Sequence, residues 1–188
     1  MTAITAELDG VATVLLKESS IGGGREACTA LLTDATAPSV LFVTYTRGPD
    51  DCVEQLEGID AEIREIGVVT VGDVGTAADR EDIVTENVSS AGDLTGLGIE
   101  IGQFLSEWNP PVTVCFDSLT AMLQYVDFET AYEFLHTVTG QIHAADARAH
   151  FHIDPGAHDE QHVAAITALF DATVTADTGE VRTRDIIE

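Results

Sequence analysis

The stretch Val112–Leu119, VTVCFDSL, constrains the fold more than any other part of the chain. Its first five residues are β-prone and largely apolar, with no polar face. A run that is apolar on both faces fits an inner strand of a parallel sheet, covered by helices on both sides. Pro110 and Pro111 stop whatever precedes the run and direct the chain into it. Asp117 and Ser118 then fall at the strand's carboxyl end, the edge where open α/β sheets bind their ligands.

The rest of the chain alternates in the same manner. Val11–Lys17 reads as a strand, followed by a glycine-rich turn at Gly22-Gly23-Gly24 and a helix over Arg25–Thr36. A strand, a glycine-rich turn and a helix form the geometry in which backbone N–H groups can cradle a phosphate, and equally a plain βα turn. Ser39–Thr46 and Ile63–Val71 read as further strands, with a short helix over Asp50–Glu57 between them. Residues 72–93 are small, polar and acidic with no clean period, which predicts a mobile surface loop. Leu94, Leu97, Ile101, Leu105 and Trp108 recur at helical spacing, so 94–108 is expected to bury one face. Leu119–Val126 is a short helix, and Asp127 caps a longer one running to about Ala147. Ala149–Asp154 is a strand, His158–Leu169 a helix, and the two short segments around Asp177-Thr178-Gly179-Glu180 a terminal hairpin. The expected architecture is a three-layer α/β sandwich with a mostly parallel central sheet and an antiparallel C-terminal hairpin, in one domain over 1–188.

Charge narrows the function. The 188 residues carry 33 acids against seven arginines and one lysine, Lys17, for a formal net charge of −25. Acids spread through the chain suit a halophilic cytosol, where salt screens them, and most of these carboxylates are solvated surface. Nothing resembles the basic stripe of a nucleic-acid binder. No apolar run approaches the ~18 residues of a membrane span, and no leader pattern opens the sequence, so a cytoplasmic, non-membrane protein is expected. Cys28, Cys52 and Cys115 are scattered without a C-x-x-C pair, which reads as reduced thiols and not as a disulfide framework or zinc site.

The order strand, glycine-rich turn, helix, and later an apolar strand ending Cys115-Phe116-Asp117-Ser118-Leu119-Thr120, resembles the RecA/KaiC-like P-loop ATPase superfamily. The tail, from His150-Phe151-His152-Ile153-Asp154-Pro155 to Leu169-Phe170-Asp171-Ala172, is similar to short haloarchaeal members. The resemblance spans Val11 to Arg184 and implies a RecA-like central sheet. It makes Asp117 the Walker B aspartate, and Gly22, Gly23, Gly24, Arg25, Glu26, Asp117 and Ser118 the nucleotide-binding positions. Four of the family's positions are altered here. Aligned on Gly24, the phosphate loop begins at Ser19 where the family has glycine. Arg25 stands for the phosphate-binding lysine, and its planar fork does not replace a point charge. Glu26 stands for the magnesium-binding hydroxyl. A carboxylate ~4 Å from a phosphate oxygen at an effective dielectric of ~20 costs about 4 kcal/mol, half of the ~8 kcal/mol in a micromolar affinity. Finally, Thr44-Tyr45-Thr46-Arg47 lacks the water-activating glutamate that follows the family's second strand. The expectation is a non-catalytic regulatory or protein-interaction module with no cofactor, acting on a protein partner or by self-association. The alternative is a nucleotide-dependent switch or weak ATPase, with Arg25 on phosphate and Asp117 holding a hydrated Mg²⁺ of ATP–Mg²⁺.

One further pattern points elsewhere. His150, His152 and Asp154 alternate, so on a strand they share a face and could converge on one metal. The competing expectation is the polar face of an outer strand. His136 and His143, two turns apart on a helix, are expected to be surface polar residues. Tyr125, Phe128 and Tyr132, near the strand edge, are expected to pack in the core, with a stacking platform for an adenine as the alternative.

Overall fold

The computed structural model describes residues 2–19, 24–74 and 80–184. Gly22 and Gly23 lie outside the described residues. Eight strands form one sheet in the order β4-β3-β2-β5-β6-β1-β7-β8. They are β1 Thr13–Lys17, β2 Ser39–Thr44, β3 Glu65–Val71, β4 Val84–Val88, β5 Val112–Asp117, β6 Arg148–Ile153, β7 Ala172–Thr175 and β8 Glu180–Thr183. All neighbours pair in parallel except β7 and β8. The expected sandwich and its C-terminal hairpin are both present.

Among the described residues, seven α-helices flank the sheet: α1 Thr2–Ala6, α2 Gly24–Leu32, α3 Pro49–Leu56, α4 Leu94–Glu107, α5 Leu119–Met122, α6 Phe128–Ala144 and α7 Glu160–Thr167. They divide between two cores. On one face, Leu97, Ile101, Leu119, Leu135 and Ile166 pack with Leu41, Phe116 and Phe151. On the other, Ala27, Cys28, Leu32, Cys52 and Leu56 pack with Leu16, Phe42 and Cys115. Strand alternation explains the division. Val112, Val114 and Phe116 of β5 point to the first core, and Cys115 points to the second. Asp127 caps α6 as expected, accepting from Thr130 N at 2.8 Å.

Two expectations are corrected. Residues 84–88 are not irregular loop but edge strand β4, paired with β3. Four of its five residues are exposed, so no apolar pattern marks it. The strand carrying His150 and His152 is not an outer strand: β6 lies between β5 and β1, and both histidines are buried, at 2% and 4% exposure.

The layering also positions a cleft. The helix after β2, α3, packs in the second core, whereas α5 after neighbouring β5 packs in the first. Chain segments leaving two adjacent strands toward opposite faces open a crevice above their carboxyl ends.

Candidate functional site

A cleft of about 440 Å³ occupies that crevice, lined by Glu18, Gly24, Arg25, Arg47, Asp117 and His152, among others. β1 delivers Glu18, the N-terminus of α2 delivers Gly24 and Arg25, the turn after β2 delivers Arg47, and β5 ends at Asp117. Of the residues expected at a nucleotide site, Gly24, Arg25 and Asp117 do meet here. Glu26 is exposed in the first turn of α2 and does not line the cleft. Ser118 caps α5, its hydroxyl accepting from Ala121 N at 3.1 Å.

Asp117 is engaged. Arg47 Nε donates to its Oδ2 at 3.1 Å, with the two side chains only 23% and 19% exposed. Arg47 is itself held tightly. Its Nη1 donates to Gln55 Oε1 at 2.7 Å, its backbone N–H donates to Thr44 Oγ1 at 2.9 Å, and its guanidinium lies 5.9 Å from the Phe42 ring centroid. Thus the turn after β2 supplies a cation to the carboxylate at the end of β5. Burial works against the charge of Arg47, but Asp117 and neighbouring thiols raise its pKa.

Glu18 fills the other side. Its Oε1 accepts from His152 Nδ1 at 2.7 Å. Its Oε2 lies over Gly24 and fills the space that any side chain there would need. A carboxylate therefore occupies the mouth of the α2 N-terminus, where a phosphate-loop protein presents backbone N–H groups to phosphate.

Below the cleft lies a cluster that sequence spacing did not reveal. Cys28 Sγ is 3.5 Å from Cys115 Sγ and 3.1 Å from His150 Nε2, and Cys115 Sγ is 3.4 Å from His152 Nε2. All four residues are buried, and their donor atoms lie within 4.8 Å of one another. Gln55 Nε2 donates to Cys28 Sγ at 3.2 Å. Asp154, expected to join the two histidines, does not belong to this group. It lies beyond the end of β6 and caps a 3-10 turn at Pro155–Ala157, accepting from Gly156 N at 2.9 Å. A second, overlapping set of possible ligands is Glu18, Asp117 and His152. Burial alone would raise the Cys28 thiol, but the hydrogen bond from Cys115 and the nearby His150 and His152 carry it well below the ordinary value. Burial pushes Cys115 well above that value, reinforced by the hydrogen bond and charge of Cys28. Burial opposes the charge of His152, yet Cys28 and Glu18 push its pKa up to about 10.

The sequence matches, over residues 11–176, a family described as "Family of unknown function (DUF7504)". The chain belongs to that family. No curated protein matches it. Two solved structures from archaea share its fold. One is described as "Structural study of Project ID PH0250 from Pyrococcus horikoshii OT3", with a TM-score of 0.65 at 12% identity, over 98% of this chain and 93% of that one. The other is the flagellar accessory protein FlaH from Methanocaldococcus jannaschii, with a TM-score of 0.54 at 13% identity, over 92% of this chain and 75% of that one. At such identities the likeness concerns the fold alone, and it fits a RecA/KaiC-like one.

Within this family member, other expected groups take quieter places. His143 Nε2 meets Asp171 Oδ2 at 2.9 Å and His143 Nδ1 meets Thr139 O at 3.0 Å, so this histidine ties α6 to the start of β7. Phe128 stacks on His162 with ring centroids 4.0 Å apart. Tyr125 is 60% exposed and not core. Among the described residues, no helix is long and apolar enough to cross a membrane.

Proposed function

We propose that this chain is a non-catalytic RecA/KaiC-like domain, a regulatory or protein-interaction module of a salt-rich cytoplasm. The observation that carries this reading is the Arg47–Asp117 ion pair. Walker B aspartates act by orienting magnesium, and here the carboxylate already has a half-buried cation beside it. The remaining charge points the same way. Glu18, Asp51, Glu54 and Asp117 line the cleft against Arg25 and Arg47, leaving an excess of negative charge where a triphosphate would sit. With the nucleotide chemistry removed, the fold is left with its surface.

The test is ATP hydrolysis by the full chain in about molar KCl, which screens the acidic surface. The proposal expects no phosphate release above the no-enzyme control. Turnover that disappears in Asp117→Ala would overturn it.

A nucleotide-dependent switch is the second reading, favoured by the size of the cleft and by Arg25 beside the α2 N-terminus. It requires ATP–Mg²⁺ to displace Arg47 from Asp117. Under that reading Asp117→Ala abolishes nucleotide binding while the circular dichroism spectrum is unchanged.

A further inference from the structure

We infer that Cys28, Cys115, His150 and His152 form a binding site for one zinc ion, beneath the cleft and independent of whether the cleft takes nucleotide. Two thiolates and two imidazoles make the S₂N₂ set that suits tetrahedral Zn²⁺. The spacing agrees. With Zn–S near 2.3 Å and Zn–N near 2.0–2.1 Å, the edges of a tetrahedron run from ~3.3 to ~3.8 Å. Three of the six donor–donor separations are 3.1, 3.4 and 3.5 Å, and all four donor atoms lie within 4.8 Å of one another, so they need move by no more than about an ångström to close on a common centre.

The set stands on the inner strands β5 and β6 and on α2. Cys115 and His150 are register partners on adjacent inner strands, and His152 is two residues further along the same face of β6. Cys28 comes down on them from α2. Their strand neighbours on that face are apolar: Phe42 pairs with Cys115, Val14 with His150 and Leu16 with His152. Four polar groups therefore sit beside apolar strand neighbours. Zn²⁺ with two thiolates and two neutral imidazoles has no net charge, so the filled site buries no uncompensated ion.

Outer partners are in place as well. Glu18 Oε1 accepts from His152 Nδ1 at 2.7 Å, which leaves Nε2 as the metal-facing nitrogen. Carboxylates in this position orient histidine ligands and raise their basicity. Gln55 Nε2 donates to Cys28 Sγ, a contact suited to a thiolate. The ion has a way in, because Cys28 and His152 both line the cleft. Binding forms two Zn–S and two Zn–N bonds, and the protons held on those atoms leave to solvent.

The test uses the full chain without a histidine tag, reduced, stripped with a chelator and titrated with Co²⁺ and then Zn²⁺. Saturation at one Co²⁺ per chain is expected, with a thiolate-to-cobalt charge-transfer band and tetrahedral ligand-field bands, bleached by one equivalent of Zn²⁺. Cys115→Ser and His152→Ala lose the band, whereas Cys52→Ser and Asp154→Asn keep it. Glu18→Gln weakens the affinity by ~10–100-fold. X-ray absorption of the wild-type zinc form reads two sulfur and two nitrogen neighbours without any variant. Absence of the charge-transfer band in reduced, folded wild type would overturn the inference. So would a metal shell without sulfur, a band that needs Asp154, or conversion of the stripped chain to a Cys28–Cys115 disulfide that zinc does not prevent.

Discussion

Replacing Arg47 with alanine removes the cation from Asp117 and tests whether that pair is a fixed part of the fold. Both side chains are more than three-quarters buried, at 23% and 19% exposure, so the pair lies between the surface and interior limits. A solvent-exposed pair is worth ~0–1 kcal/mol, and breaking a fully buried one costs ~3–5 kcal/mol. Arg47→Ala also removes the 2.7 Å bond to Gln55 and the contact with Phe42. A net loss of about 2 kcal/mol is expected, in line with hydrogen bonds to charged groups at ~1.5–3 kcal/mol. For a chain of this size that lowers the melting temperature by ~4–8 °C. The assay is urea unfolding in about molar KCl, with Arg47→Ala, Asp117→Asn and the double variant compared. The double variant should be more stable than the sum of the single losses predicts, because neither charge is then left alone. Additive losses, or a single-variant loss under about 0.5 kcal/mol, would refute the claim that Arg47 and Asp117 act as a unit.

Three other outcomes follow from the same geometry. Gly24→Ala forces the Glu18 carboxylate away from α2 and off His152, costing about 2 kcal/mol in urea unfolding, and the loss should shrink when Glu18→Ala is made alongside it. Burial pushes the Cys52 thiol up to about 12, so at pH 8 it stays protonated and should resist a thiol reagent until the protein unfolds, as followed by mass spectrometry of the labelled peptide. Phe151→Ala empties a site between the stacked ring of Phe116 and the edge of Phe170, and should lower stability by ~3–5 kcal/mol in the same unfolding assay.

The fold was legible where burial is one-sided or complete. β5 and β2 are apolar on both faces and lie at the centre of the sheet, as their composition requires. Asp127, Asp117 and the helix over 94–107 were readable from capping residues, strand ends and a 3.6-residue period. β4 was not, because VTENV keeps four side chains in solvent and earns its place through backbone pairing with β3. The site was legible only in part. The period of two correctly put His150 and His152 on one face. It extended that face to Asp154, where the chain has already turned. Cys28 and Cys115 lie 87 positions apart, and Arg47 and Asp117 lie 70 apart. Such pairs meet through the adjacency of β5 with β6 and β2 and through the docking of α2, which no local pattern encodes. Glu18 could have been suspected, as an acid following an apolar strand into the glycine-rich turn, but its partner His152 is 134 positions away.

Calorimetric titration of ATP–Mg²⁺ and ADP–Mg²⁺ into the full chain, in about molar KCl, tests the central claim most directly. With Asp117 held by Arg47 and Glu18 lying over Gly24, no binding heat is expected at nucleotide concentrations up to the millimolar range. A micromolar Kd, lost in Asp117→Ala, would contradict the account and make the cleft a working nucleotide site.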